Sequence, residues 1–129
     1  MKEFADKTAV ITGGASGIGF ALAQLCVERR MNIVLADIEK EALASATQHF
    51  EDGQANVFSL KTDVSSKKSV EALFDQATSR FGKIHLLFNN AGVVNGGSPP
   101  PIWNLPREDW DWVMGVNLMG VLNLSLIHI

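Results

Sequence analysis

The sequence predicts an α/β fold, a doubly wound parallel sheet with helices packed on both of its faces. Two observations support this. Short apolar runs rich in β-branched residues alternate with longer segments whose apolar residues recur every three to four positions. The segments between successive strand candidates are long enough to form helices, which parallel strands need as crossovers and antiparallel hairpins do not.

The first two strand–helix units are predicted within residues 8–52. Thr8–Thr12 is a short apolar run that stops at two glycines, as a buried strand would. The helix after it is predicted to bury residues spaced at i, i+4, i+7 and i+8, namely Ile18, Leu22, Leu25 and Cys26. Asn32–Asp37 predicts a second strand. A second helix, ending before Asp52-Gly53, follows with Leu43, Thr47 and Phe50 on its apolar side.

The next unit predicts a strand over Val57–Asp63 and a helix that Ser66 caps and Gly82 ends. The apolar positions of this helix are Val70, Leu73, Phe74, Ala77 and Phe81. Ile84–Phe88 predicts the fourth strand, and Val93–Asn104 an exposed loop with three prolines. A final helix is predicted from Pro106, with an apolar stripe of Trp110, Val113, Met114, Leu118 and Val121, and with Asn117 on the same face. Trp103, Trp110 and Trp112 are expected to pack the loop and this helix.

Composition limits the possible partners and the location. The 129 residues are 47% hydrophobic and 19% charged, with a net charge of -3, which predicts one domain and no nucleic-acid partner. No apolar run is long enough for a membrane span, and the first residues do not resemble a signal peptide. A single cysteine, Cys26, favours a reducing, cytoplasmic location. The scattered histidines predict no metal site.

The segment Thr12-Gly13-Gly14-Ala15-Ser16-Gly17-Ile18-Gly19 predicts a Rossmann-type phosphate-binding turn. Glycine at 13 permits the tight exit from the strand, glycine at 17 lets a ligand approach the backbone, and glycine at 19 lets the helix pack closely. The amides at the helix start would then donate to a pyrophosphate. A turn that binds nothing is the alternative. A P-loop is excluded because no Lys-Ser or Lys-Thr follows the glycines.

Asp37 ends the second strand, where a carboxylate can accept hydrogen bonds from the adenosine ribose hydroxyls. It would repel a 2′-phosphate, and the neighbouring Ile38 carries no positive charge to offset that repulsion. The pair therefore favours NAD over NADP. The alternative is that Asp37 caps the helix that follows.

These motifs resemble those of the short-chain dehydrogenase/reductase family over about residues 4–124. The matching residues are Thr12-Gly13-x-x-x-Gly17-x-Gly19, the pair Asp63-Val64, the run Asn89-Asn90-Ala91-Gly92, and Asn117. The resemblance implies a three-layer αβα fold and NAD(P)-dependent hydride transfer between the nicotinamide and an alcohol or carbonyl substrate. The cofactor-binding residues expected in all are Thr12, Gly13, Ser16, Gly17, Ile18, Gly19, Asp37, Ile38, Asp63, Val64, Asn90, Ala91 and Gly92.

The resemblance also gives roles to individual residues, each with a structural alternative. It implies that Asp63 contacts the adenine, although Asp63 could instead end a strand before the Ser66 cap. It implies that Asn90 supports the sheet beside the cofactor, although Asn89 and Asn90 could be ordinary turn residues. Asn117 corresponds to a catalytic asparagine of the family, but could serve only to bond an opened helix turn.

The family's catalytic Tyr-x-x-x-Lys pair has no match, because the chain contains no tyrosine. Residues 1–129 are therefore expected to form a single incomplete NAD(P)-binding domain, truncated after the fourth strand and the following helix, and inactive by itself. The last half-dozen residues do not resemble the family and are expected not to be native. The alternative is a non-catalytic dinucleotide-binding module. The resemblance further implies that the full-length form is a homodimer or homotetramer, assembled through the helix near Pro106.

Overall fold

The structure, a computed structural model, describes residues 3–95 and 100–128, with side chains up to residue 126 in the last helix. Its four strands are β1 (Thr8–Thr12), β2 (Asn32–Asp37), β3 (Val57–Lys61) and β4 (Leu86–Phe88). They form one parallel sheet in the order β3–β2–β1–β4. The chain winds outward from β1 in one direction and then returns to its other side, which confirms the predicted doubly wound sheet.

Helices cover both faces of the sheet. The helices are α1 (Gly17–Glu28), α2 (Lys40–Asp52), α3 (Lys67–Phe81), α4 (Arg107–Met114) and α5 (Gly120–His128). A 3₁₀ turn at Ile102–Asn104 precedes α4, and a π-helical turn at Gly115–Met119 joins α4 to α5. Across the residues described, no helix is both long enough and apolar enough to span a bilayer.

Alternate residues of the central strands enter two separate cores. In β1, Ala9 and Ile11 pack into the core shared with α1 and α2, whereas Val10 packs into the core shared with α3 and α5. All three side chains are fully buried. Because successive side chains of a strand point to opposite faces, this division confirms the predicted three layers of helix, sheet and helix.

Two strands are shorter than predicted. The third strand ends at Lys61 rather than Asp63, because its neighbour β2 ends at Asp37, the partner of Lys61. The Asp63 amide donates instead to the Ser69 hydroxyl at 3.0 Å. The fourth strand begins at Leu86, the partner of Ala9, rather than at Ile84, which the register places beyond the first residue of β1. The Thr8 amide donates to Nδ1 of His85 and not to the backbone of β4, so His85 does not extend the ladder.

The predicted buried stripe of α1 is only partly right, because Cys26 is buried but Ile18 and Leu25 are not. Ile18 is 75% exposed and Leu25 is 53% exposed, whereas the buried residues are Gly19, Ala23 and Cys26. These three are spaced at i, i+4 and i+7, and two of them are small. Their small size lets the helix axis lie close to β1. The tightest contact is therefore made by a face of small residues, which the spacing of large apolar residues does not identify.

The apolar stripe predicted for the final helix includes residues that lie on its exposed side. Met114 and Leu118 are 45% and 54% exposed, whereas Gly120 and Leu124 are buried. A Cβ atom placed on Gly120 would lie 2.7 Å from Cγ2 of Val64. The absence of a side chain at Gly120 thus selects the face of the helix that packs against the loop after β3.

Candidate functional site

A cleft of about 670 Å³ lies at the carboxyl ends of the strands, beside the point where the winding direction reverses at β1. Open α/β sheets bind ligands at this position. All of the predicted cofactor-binding residues except Thr12 and Gly19 line the cleft: Gly13, Ser16, Gly17, Ile18, Asp37, Ile38, Asp63, Val64, Asn90, Ala91 and Gly92. The fold therefore brings together residues from four separate loops.

The glycine loop leaves β1 in a backbone conformation that favours glycine. Gly13 has φ of +63° and Gly17 has φ of +52°, both in the left-handed region. A Cβ atom at Gly17 would meet nothing within 4 Å, so this backbone faces open space in the cleft. The requirement for glycine at 17 comes from its φ and not from crowding within the chain.

The start of α1 offers backbone donors to the cleft. Ser16 is the N-cap residue, but its side chain makes no capping hydrogen bond, and the first turn of the helix contains no acidic residue. The first amides of a helix have no partner inside the helix and carry a partial positive charge. This end of α1 is therefore suited to an anion.

Thr12 supports the loop from behind and does not face the cleft. Its side chain is fully buried, and its hydroxyl donates to the Phe88 carbonyl at 3.1 Å. The same oxygen accepts from the amides of Asn90 and Ala91, both at 3.1 Å. The structure thus contradicts the expectation of a ligand contact from Thr12 and makes it a link between the ends of β1 and β4.

Gly19 is the second expected residue that lies outside the cleft. It is buried, and a Cβ atom there would overlap the Gly13 carbonyl and lie 2.6 Å from Nδ2 of Asn90. Its predicted role in close helix packing therefore holds, but the surface it packs against is the loop backbone and the Asn90 side chain.

Asn90 is not an ordinary turn residue. Its Nδ2 donates to the carbonyl oxygens of Thr12 at 3.0 Å and Gly13 at 3.2 Å. These acceptors lie more than seventy positions earlier in the chain. The side chain therefore fastens the glycine loop to the end of β4, and the alternative in which it bonds only its local backbone is wrong.

Asp37 connects two segments of backbone. Its Oδ2 accepts from the amide of Ala15 in the glycine loop at 3.1 Å, and its Oδ1 accepts from the amide of Glu39 at 3.1 Å. The second bond forms a turn into α2, whose N-cap residue is Glu39. The capping alternative is thus partly right. Each carboxylate oxygen can accept two hydrogen bonds, so Asp37 retains capacity for a ligand hydroxyl.

Asp63 stabilises a tight turn between β3 and α3. Its Oδ1 accepts from the amide of Ser65 at 2.9 Å and from the Ser65 hydroxyl at 2.6 Å. The Ser66 hydroxyl then accepts from the Ser69 amide at 3.3 Å, which confirms the predicted cap of α3. The turn keeps Asp63 and Val64 at the cleft wall.

Asn117 lies in the π-helical turn and is exposed, as are Met114 and Leu118 of the predicted apolar stripe. Its Nδ2 donates to the Val93 carbonyl and its Oδ1 accepts from the Val93 amide, both at 2.8 Å. The helix turn is opened, as the alternative expected, but the side chain bonds the segment after β4 and not the turn itself. Val93 lines the cleft, whereas Asn117 does not.

The structure adds cleft residues that the sequence reasoning missed, chiefly Glu39 and Trp112. Glu39 lies two positions after Asp37, and that proximity was a usable signal. Trp112 lines the cleft together with Val116, one helical turn further on, whereas the sequence predicted only a packing role in the loop and final helix. Its position depends on how the final helix docks, which local sequence does not reveal.

The cleft has an acidic rim. Asp37, Glu39 and Asp63 all line it, and no lysine or arginine is among the lining residues that the structure describes. Within residues 3–95 and 100–128, no three His, Cys, Asp or Glu side chains form a cluster that could hold a metal ion. The positive potential at the glycine loop therefore comes from backbone amides.

Comparison with known proteins identifies relatives over nearly the whole chain. The sequence profile of the short chain dehydrogenase family matches residues 7–128. A CLA biosynthesis dehydrogenase/reductase of Lactiplantibacillus plantarum is 42% identical over 120 residues, which are 93% of this chain and 41% of that protein. A 3beta-hydroxysteroid dehydrogenase 2 of Eggerthella lenta is 37% identical over 118 residues, covering 92% of this chain and 45% of the relative. The chain thus spans less than half the length of these curated relatives.

Solved structures also match nearly the whole of this chain. A short chain dehydrogenase/reductase from Burkholderia phymatum in complex with NAD superposes with a TM-score of 0.93 at 46% identity, over 98% of this chain and 44% of that one. A 3-ketoacyl-(acyl-carrier-protein) reductase from Brucella melitensis complexed with NADH gives a TM-score of 0.89 at 29% identity, over 98% and 50% of the two chains. With its glycine loop, acidic cleft and family match in agreement, the chain belongs to the short-chain dehydrogenase/reductase family.

Proposed function

We propose that this chain is the dinucleotide-binding portion of an NAD-dependent oxidoreductase that transfers hydride between the nicotinamide and an alcohol or carbonyl substrate. The observation that carries the proposal is a single cleft in which the uncapped N-terminus of α1 lies beside the carboxylate of Asp37. A relative of known structure is in complex with NAD, which supports a nicotinamide dinucleotide as the ligand.

The pyrophosphate fits the start of α1. The amides of the first helical turn supply donors, and the open space at Gly17 lets a phosphate reach them. Ile18 is 75% exposed next to these amides and lines the cleft. An exposed isoleucine beside an anion site suits a ligand that has apolar rings as well as phosphates.

The acidic rim favours NAD over NADP. A 2′-phosphate on the adenosine ribose would meet the carboxylate of Asp37 and the nearby carboxylate of Glu39. The residue between them, Ile38, offers no positive charge. Like charges without compensation disfavour the phosphate, whereas ribose hydroxyls can donate to Asp37.

When bound, the nicotinamide would supply or accept the hydride. The contribution of this chain is to hold and orient the dinucleotide, and Asn117 acts as a positioning residue by fixing the backbone of Val93 at the cleft. The family's proton-transferring tyrosine is not present, because the chain contains no tyrosine. We therefore expect these 129 residues to bind a dinucleotide without turning over an alcohol.

We further propose a cytoplasmic protein whose full-length form is a homodimer or homotetramer. The final helix exposes Trp110, Met114, Leu118 and Leu122 at intervals of four residues, each between 41% and 54% exposed. Large apolar side chains that recur on one exposed helix face suit contact with a second subunit. We propose small-molecule substrates because the chain belongs to this family, and not because of a residue of this cleft.

The proposal is tested by calorimetric titration of the chain with NADH and NADPH. We expect NADH to bind at least tenfold more tightly than NADPH, because the carboxylates of Asp37 and Glu39 repel the 2′-phosphate. A tenfold difference in affinity corresponds to about 1.4 kcal/mol of binding free energy. The double variant Asp37→Ser/Ile38→Arg should reverse the preference. Glu41→Ser, which removes an exposed acid of α2 outside the cleft, should not. Binding of neither dinucleotide would contradict the proposed function, and equal binding of both would contradict only the preference.

A second candidate is a non-catalytic dinucleotide-binding module, because the cleft offers groups that hold a ligand. The two functions differ in what the complete reading frame encodes. A downstream Tyr-x-x-x-Lys pair, and NAD-dependent oxidation of alcohols that is lost when this tyrosine becomes phenylalanine, would establish the enzyme. A complete protein that binds NADH but oxidises or reduces nothing would establish the module.

A further inference from the structure

Trp112 stands apart from the other tryptophans. It lies in α4, is 49% exposed and lines the cleft, as does Val116 one turn later. Trp103 and Trp110 are 80% and 41% exposed, and neither lines the cleft. A half-exposed indole at a binding cleft leaves an aromatic surface available for contact with a ligand.

The docking of the final helix holds this indole in place. A Cβ atom on Gly115 would lie 3.7 Å from Cβ of Ser65, so the helix backbone rests against the turn after β3. Further along, Nδ2 of Asn123 donates to the Val64 carbonyl at 3.0 Å. These contacts fix the helix against the Val64–Ser65 segment, and Trp112 precedes Gly115 by about one turn.

The part of the cleft next to Trp112 suits a flat ring with a polar edge. Val64 and Val116 supply apolar surface, while Asp63 and Thr62 supply polar groups at the end of β3. With the ribose at Asp37 on β2, a base attached to that ribose falls beside β3, the next strand of the sheet. Building on the proposed function, we infer that the Trp112 indole forms the outer wall of the adenine subsite and contacts the face of the base.

This placement gives Trp112 a role in affinity. Stacking of a base on an aromatic side chain contributes about 1–3 kcal/mol. Since the indole is half-exposed, we expect the lower part of this range, which is a five- to tenfold effect on the dissociation constant. The competing possibility is that Trp112 belongs with Trp110 to a contact between subunits.

The experiment titrates the chain with adenosine monophosphate and with NADH, following tryptophan emission and heat of binding. We expect both ligands to bind five- to tenfold more weakly to Trp112→Leu, and Trp112→Phe to retain most of the affinity. Trp110→Leu, a matched change on the same helix outside the cleft, should alter affinity less than twofold. Adenosine monophosphate should quench emission in the parent and in Trp110→Leu, but not in Trp112→Phe.

The possible outcomes separate the two proposals. If the parent chain binds neither ligand, the proposed function fails, and the inference fails with it. If the parent binds NADH but Trp112→Leu binds adenosine monophosphate with parental affinity, only the inference is overturned. Quenching that persists in Trp112→Phe would equally overturn it, and this variant keeps the test valid if the leucine substitution unfolds the chain. A change in the association state of Trp112→Phe, with binding unaltered, would assign the indole to a subunit contact.

Discussion

Substitution of Gly19 by alanine should destabilise the chain even though Gly19 lies in a helix. An added Cβ would overlap the Gly13 carbonyl and lie 2.6 Å from Nδ2 of Asn90. Cβ atoms in proteins essentially never approach another heavy atom within 3.0 Å. The obstacle is backbone, so no rotamer change relieves it. Overpacking of this kind costs about 1–3 kcal/mol.

Two further effects enter the estimate for Gly19→Ala. Moving the Asn90 side chain aside weakens its bonds to the Thr12 and Gly13 carbonyls, at about 1 kcal/mol each. In the opposite direction, alanine is about 1 kcal/mol better than glycine inside a helix. We therefore expect a net loss of about 2–4 kcal/mol in the free energy of unfolding.

Gly115→Ala is the matched control, because the same chemical change meets a different environment. Gly115 has helical backbone angles, φ −58° and ψ −43°, and an added Cβ would lie 3.7 Å from Cβ of Ser65, an ordinary contact. This variant should be unchanged or more stable by up to about 1 kcal/mol. Urea unfolding followed by far-ultraviolet circular dichroism measures both. Parental stability in Gly19→Ala would refute the reasoning.

Three further predictions concern other parts of the fold. Thr12→Val should lower the free energy of unfolding by about 1–3 kcal/mol, because the Ala91 amide loses the Thr12 oxygen as acceptor and the Asn90 amide keeps only the Phe88 carbonyl. Thr12→Ser should lose less than half of that in the same urea assay. His85 accepts a hydrogen bond from the Thr8 amide through Nδ1, and burial, reinforced by two nearby lysines, lowers its pKa in the folded state. As the pH falls, the unfolded chain therefore protonates His85 before the folded chain does. The free energy of unfolding should decrease as the pH drops below 6.5, the ordinary pKa of histidine. His85→Gln should abolish that part of the pH dependence in unfolding curves between pH 7 and 5. Leu124→Ala should cost about 2–5 kcal/mol, because the side chain is fully buried, whereas Leu126→Ala, at a site 59% exposed, should change the unfolding midpoint little.

The sheet was predictable because its central strands are buried on both faces. β1 and β2 form continuous apolar runs bounded by glycine or polar residues, and a chain can hide such runs only inside a layered structure. The outer strand boundaries were not predictable. A strand ends where its neighbour stops pairing, so the extra residues at Asp63 and Ile84 depended on β2 and β1 and not on their own sequence.

The helices were found, and the buried residues of α2 and α3 include predicted ones, such as Leu43 and Leu73, whereas the packing face of α1 was misjudged in part. Apolar periodicity gives weight to large side chains, whereas the closest contacts in α1 and α5 are made where side chains are smallest, at Gly19 and Gly120. The large residues set beside those contacts, such as Ile18 and Leu118, remain exposed. A stripe of large apolar residues on these helices therefore marks a surface for a ligand or another subunit as readily as a face of the core.

The glycine loop was predictable for a different reason, since the loop makes demands on the backbone that only a few residue types meet. Positive φ at Gly13 and Gly17 excludes most side chains, and that constraint is visible in the sequence. Trp112 carries no such mark. Its place in the cleft follows from contacts between the final helix and the turn after β3, which are distant in the chain.

The residues behind the glycine loop contribute to binding without facing the ligand. Thr12 and Asn90 tie the loop to β4, and Asp37 holds it through the Ala15 amide, so the donors at the start of α1 are in place before a phosphate arrives. A loop already ordered loses less conformational entropy on binding, which favours affinity. Thr12→Val should therefore weaken NADH binding although Thr12 lies outside the cleft. Thr12→Ser, which keeps the hydroxyl, should bind NADH with nearly the affinity of the parent chain. Unchanged affinity in a folded Thr12→Val variant would show that the loop is ordered by its glycines alone.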